Sequence, residues 1–257
     1  MKFLKKDENN VKRIGGIPVG SLWRPDPERT LQTFEPENPS LLTPGATGVG
    51  WDLNTGAIAA KLGLIRPDDS LPDMEQYIPK GYRRALRYLP FAGLGVIGLL
   101  AKSVSRHEHV ASNWSASGYP NTYGSGKLAA GTLLAVGAIP LLVMRLARET
   151  NGSSISDYSI SGRMAKAKRQ AADSKLPAGG SVSASVIAGA NAVGVQTLTE
   201  LAGAAMLREL KHRGKRQPLI LLAPISFPLV TLGILIAVVK STLSNINKSL
   251  RRQRQKS

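Results

Sequence analysis

The run QPLILLAPISFPLVTLGILIAVV, Gln217–Val239, holds 23 residues without a charge, and its reading decides the class of this chain. As a helix rising 1.5 Å per residue it measures about 34 Å, enough to cross the roughly 30 Å hydrocarbon core of a bilayer with some tilt. Arg213, Lys215 and Arg216 precede it and Lys240 follows, so cations bracket the run on both sides. Pro224 and Pro228 lie inside it. Each lacks a helical N–H, so the run is expected to kink or break there.

Two further apolar runs lie upstream. Leu128–Met144 has 17 uncharged residues and ends at Arg145 and Arg148. Tyr88–Ala101 has 14 and follows Lys80, Arg83, Arg84 and Arg87. The shorter run crosses only if Arg87 and Lys102 reach out to the headgroups along their apolar stems. Between the two lies His109–Gly126, rich in Ser, Asn and Gly, with Trp114, Tyr119 and Tyr123 as interfacial aromatics. Together they read as a transmembrane hairpin whose basic ends share the cytoplasmic or matrix-like side.

A fourth run is different in kind. Leu176–Thr199 has 24 residues without a charge, yet it is only weakly apolar. Ala184, Ala188 and Ala192 recur every fourth residue, a spacing that lets helices approach closely in a membrane. Asn191, Gln196 and Glu200 form a candidate intramembrane polar site if this helix is enclosed by others. Four full crossings would place the basic segment Arg208–Arg216 opposite the other cations, against the positive-inside rule. Two arrangements relieve that conflict. Either the fourth run lies on the membrane instead of crossing it, which leaves three spans and a basic tail outside, or it is peripheral and Gln217–Val239 also re-enters at Pro224–Pro228, which returns every basic cluster to one side.

Charge follows the same division. The chain of 257 residues carries 34 Lys+Arg against 17 Asp+Glu, net +17. Residues 1–87 are nearly balanced at +2, leaving +15 for the rest. Cations that flank apolar runs suit anionic lipid headgroups, and the expected contacts are Arg83, Arg84, Arg87, Arg145, Arg148, Arg213, Lys215, Arg216, Lys240, Arg251 and Arg252. The tail after Lys240 has no acid and also suits nucleic acid, a less favoured partner. Pro18, Pro25, Pro27, Pro36, Pro39 and Pro44 interrupt the first 50 residues, which read as an extended arm. Residues 51–64 suit a short helix.

Chemistry is hard to find. Cysteine is absent, which excludes disulfides, thiolate metal sites and thiol nucleophiles. His107-Glu108-His109 lacks the i,i+4 spacing of a helical ligand pair. Gly124-Ser125-Gly126-Lys127 resembles the end of a phosphate loop, but Asn121 and Leu128 stand where glycine and Ser/Thr are needed. No nucleophile, base and oxyanion set is visible. Neither a catalytic residue nor a cofactor is expected.

The strings Ile139-Pro140-Leu141 and Met144-Arg145 are similar to the sideroflexin family of mitochondrial amino-acid carriers. Arg66-Pro67-Asp68-Asp69 departs from that family's His-Pro-Asp-Thr-Gly-Glu motif at most positions, so no family is assigned.

The resulting expectation is an all-α helical integral membrane protein. It divides into an extended Pro/Gly-rich arm with a short helix (1–79), a transmembrane hairpin (80–148) and a polar basic linker (149–180). A small-residue helix with a hydrophobic segment (181–240) and a basic tail (241–257) complete it. The expected role is a non-enzymatic structural or assembly subunit that contacts other membrane-complex subunits and anionic lipids. The alternatives are a transporter or pore component, or a membrane-anchored virion or nucleic-acid-binding protein. A bacterial inner membrane, an organellar inner membrane and a virion membrane all fit the sequence.

Overall fold

The computed structural model describes residues 4–6, 12–14, 17–18, 27–45, 50–149 and 182–255. Most of them are helical. Four long helices, α3 (Lys80–Val104), α4 (Gly126–Glu149), α5 (Val182–Lys211) and α6 (Pro218–Arg254), follow two short ones, α1 (Pro27–Gln32) and α2 (Thr55–Lys61). The strands pair locally and antiparallel. Leu4–Lys6, Lys12–Ile14 and Ile17–Pro18 (β1–β3) form one small sheet. Leu42–Pro44 with Trp51–Leu53 (β4, β5) and His109–Trp114 with Pro120–Ser125 (β6, β7) form two hairpins.

The long helices alternate in direction. At one end the Glu75 carboxylate accepts from Val182 N–H, 2.6 Å, and so caps the start of α5 beside the start of α3. Asn245 Nδ2, late in α6, donates to the Tyr77 carbonyl at the same end. At the other end Tyr123, just before α4, meets Glu209 at the close of α5, and Gln217 N–H donates to the Gly118 carbonyl. These are the cap end and the clasp end of the bundle.

Three helices, α3, α4 over Gly126–Met144, and α6, are long and apolar enough to cross a membrane. Their outward sides carry large apolar groups such as Tyr88, Phe91, Leu99, Leu128, Leu142, Ile225 and Leu229, all about half exposed or more. The fourth, α5, packs along all three and has no fully exposed side chain between Val182 and Leu207. The weakly apolar fourth run is therefore central. It does not lie at the edge of the bundle, and its alanines and glycines leave room for three neighbours.

Two further expectations change. Gln217–Val239 does not break at its prolines. Pro218 starts the helix at a position that tolerates proline, and α6 continues unbroken through Pro224 and Pro228 to Arg254. A re-entrant hairpin is excluded for this run. The N-terminal region is not an extended arm over residues 29–79. Phe34, Ile65, Leu71, Met74 and Ile78 are buried against Leu86 of α3, Val186 and Ile187 of α5, and Leu235 and Val238 of α6.

That block is fastened by polar groups. Asn54 is fully buried. Its Oδ1 accepts from Glu35 and Ala57 N–H, while its Nδ2 donates to the Glu35 and Asn38 carbonyls, all at 3.0–3.2 Å. It thus caps α2 and ties it to the preceding loop. The expected linker at 149–180, and its basic stretch from Met164 to Asp173, lie outside the described residues apart from Glu149. So do the side chains of Arg145 and Arg148.

Candidate functional site

Asn191, Gln196 and Glu200 all lie on α5, and the fold separates them. At 100° per residue, Asn191 and Glu200 point to opposite sides of the helix. Asn191 Nδ2 donates to Thr33 Oγ1, 3.0 Å, on the side covered by the N-terminal block. Thr33 in turn donates to the Thr30 carbonyl, 2.8 Å. Asn191 is a fastening point between α5 and the cap.

Gln196 is 2% exposed and bridges three helices. Its Nε2 donates to the carbonyls of Pro90 on α3, 2.7 Å, and Gly137 on α4, 3.2 Å. Both amide hydrogens are thereby occupied. Its carbonyl oxygen rests against Gly93, where any side chain would collide with it. Gly137 lies one residue from the Val136 carbonyl that Pro140 leaves without a helical donor. The same logic operates at Gly189. Pro90 deprives the Leu86 carbonyl of its helical donor, and α5 approaches so closely that a methyl on Gly189 would stand 2.6 Å from that oxygen.

Glu200 is half-buried and has no hydrogen-bond or ionic partner among the described residues. Ala190 and Gly194 lie opposite Thr231 and Phe227 of the antiparallel α6. Continued along both helices, that register sets Glu200 level with Leu221, about 5 Å inside the start of α6. Gly203, three residues nearer the clasp end, packs on Leu100 of α3 and Leu133 of α4, each about a turn or more inside its helix, so Glu200 lies within the bundle and not at its rim.

A second polar constellation closes the clasp end. Glu209 is fully buried. Its Oε1 accepts from Tyr123 Oη, 2.7 Å, and from Gly214 N–H, 3.1 Å. Its Oε2 has no partner among the described residues, and neither do the buried Gln217 Oε1 and Trp114 Nε1. The hydrogen bond to Glu209 raises the Tyr123 phenol above its ordinary 10.0. The Arg213 guanidinium stands 5.9 Å from the centre of the Tyr123 ring, and Arg216 Nε donates to the Ser117 carbonyl, 2.9 Å. The β6–β7 hairpin is thus clasped to the α5–α6 turn. Glu209 carries a sequence signal of its own, being the one acid within the basic segment Arg208–Arg216.

The expected headgroup cations fall into two groups. Arg83 turns inward, donating to the carbonyls of Ile78, Glu75 and Gln76. Arg213 and Arg216 serve the clasp while remaining exposed. Arg84, Arg87, Lys215, Lys240, Arg251 and Arg252 are exposed. Among the described residues no group of three or more His, Cys, Asp or Glu side chains is placed to hold a metal ion. No family model, no curated protein and no solved structure matches this chain.

Proposed function

We propose that this chain is a non-enzymatic membrane-embedded structural or assembly subunit of a larger protein complex. The observation that carries the reading is the bundle itself, in which three apolar helices expose large side chains outward while enclosing a small-residue helix. In water those outward faces would be costly, whereas in lipid they are at equilibrium with their surroundings. Inside the bundle, Asn191 and Gln196 are engaged with Thr33 and with backbone carbonyls. That supports a scaffold over a solute path.

Four crossings bring both termini of the bundle to the cap end. Among the described residues, 27–45, 50–87 and 240–255 lie on that side and hold 12 Lys+Arg, against eight at 102–127 and 208–216. The cap end then faces the cytoplasm or matrix, and the clasp end retains a basic minority.

Extraction of the source membranes with alkaline carbonate tests residence, and the chain should stay with the lipid. Gentle detergent extraction followed by sizing tests the role. The chain should migrate with other subunits, well above its own 27.4 kDa. A monodisperse free chain that binds a small solute would instead establish the transporter reading, for which the unpartnered Glu200 is the favouring observation.

A further inference from the structure

The outward face of α3 near the cap end carries an open apolar groove of about 440 Å3, lined by Gly81, Arg84, Ala85, Tyr88, Leu89 and Ala92. Its floor is made by the absence of side chains. A methyl on Gly81 would meet nothing within 4 Å, so no contact inside the chain requires glycine there. From Gly81 to Ala92 the groove runs about 16 Å along the helix; Lys80, Arg84 and Arg87 flank its first two turns, and Tyr88–Ala92, about 6 Å, continues below them toward the hydrocarbon.

The mouth is cationic. Lys80, Arg84 and Arg87 are exposed, and α3 contains no acid. The Arg87 guanidinium lies 5.7 Å over the Tyr88 ring, which holds a cation at the lip of the groove. Arg83 is committed to backbone carbonyls, whereas Arg84 has no partner among the described residues. An apolar floor that begins among exposed cations and continues below them suits a phospholipid with an anionic headgroup, whose phosphate neutralises the cations while an acyl chain covers the floor. A second copy packed on this face would set Arg84 and Arg87 against their own equivalents with no acid to offset them.

We infer that this groove is a specific binding site for one anionic phospholipid. Its phosphate meets Arg84 with Lys80 and Arg87 nearby, and one acyl chain lies over Ala85, Leu89 and Ala92. The inference rests on the membrane residence proposed above.

The test is native mass spectrometry of the full chain in neutral detergent, titrated with phosphatidylglycerol or phosphatidylcholine of the same acyl chains. The wild type should retain one phosphatidylglycerol in clear preference to phosphatidylcholine. Arg84→Gln should lower that preference about five-fold, the equivalent of one cation near an anionic surface. Arg84→Lys should keep it, and unchanged helicity by circular dichroism confirms that each variant is folded. Ala85→Phe should reduce retention of both lipids by filling the floor. Arg251→Gln with Arg252→Gln, in the exposed tail, should leave the preference unchanged. Equal retention of the two lipids by the wild type would overturn the site. So would a tail variant as damaging as Arg84→Gln, which marks diffuse attraction. Carbonate release of the chain would defeat membrane residence itself, whereas a carbonate-resistant chain without lipid preference defeats only this site.

Discussion

The helices α5 and α6 run side by side in opposite directions, yet they solve different problems. Along α6, Leu222, Ile225 and Leu229 point away from the protein and stay half exposed or more. Along α5, Ser183, Ala188, Gly189, Ala192, Gly194 and Gly203 are buried, and no side chain before Arg208 is fully exposed. The apolar helix is the outer one and the more polar helix is the inner one. In water the reverse is expected, because burial removes apolar surface from solvent. In the proposed lipid setting that drive is absent, and what would select the inner helix is close approach and matched polar groups. The contrast teaches that hydropathy locates the outer helices, while small-residue spacing locates the helix they surround.

The largest expected effect comes from breaking that close approach. A methyl on Gly194 would lie 2.9 Å from the Phe227 carbonyl oxygen and closer still to Thr231. Gly194→Leu should therefore force α5 and α6 apart and cost about 3 kcal/mol or more. The matching change on the outer helix, Gly233→Leu, meets nothing within 4 Å and should be neutral or slightly stabilising through helix propensity. Denaturation of the two variants by sodium dodecyl sulfate, followed by circular dichroism, checks the pair. Equal losses would mean that α6 is as enclosed as α5.

How much of this arrangement can be read without coordinates follows from the same contrast. The outer helices are legible because long uncharged runs have few other uses. The inner helix is visible only as an anomaly, an uncharged run too polar to cross alone. Its enclosure depends on three partners distant in sequence. The folded state of residues 29–79 is hidden by prolines that suggest an arm. What orders the segment is Asn54, whose four hydrogen bonds reach back as far as Glu35. Gln196 and Asn191 stand out as amides in an apolar context, but their partners are a hydroxyl and two backbone carbonyls that no motif marks. Glu209 and Tyr123 are 86 residues apart, so only the fold joins them.

The clasp sharpens the comparison at the point where α5 hands over to α6. Tyr123→Phe removes the hydrogen bond to a fully buried carboxylate, leaving Glu209 with the Gly214 N–H alone. The expected cost is about 2 kcal/mol. The same bond sets a pH dependence. Because the folded phenol is raised above its ordinary 10.0, its contribution is complete below pH 10 and is lost as pH rises through the raised value. Thermal unfolding of wild type and Tyr123→Phe in detergent should differ at pH 8 and converge at strongly alkaline pH. A constant gap across that range would show that the phenol does not titrate with unfolding.

Gln196→Leu tests the polar match inside the bundle. Two interhelical hydrogen bonds disappear, to Pro90 and Gly137, while the volume is nearly kept. Such bonds within membranes contribute about 0.6 kcal/mol each on average, so a loss near 1 kcal/mol is expected. A much larger loss would mark the two carbonyls as dependent on this one donor beside Pro90 and Pro140.

The smallest effect is expected at Glu200. It is half-buried, has no partner among the described residues, and lies level with Leu221, about 5 Å inside α6. It stays partly exposed and no described group pairs with it, so removing the charge takes away no interaction within the chain. Glu200→Gln keeps the shape and removes the charge. If α5 is purely a packing helix, stability in detergent and the size of the native assembly should both stay unchanged, within about 0.5 kcal/mol for the former. If the carboxylate pairs with a cation on a neighbouring subunit, stability of the isolated chain should again hold while the assembly dissociates. The two measurements made on one variant therefore separate a bystander from a contact. A third pattern, an intact assembly with altered uptake of a charged solute into vesicles, would return the inner helix to the transporter reading.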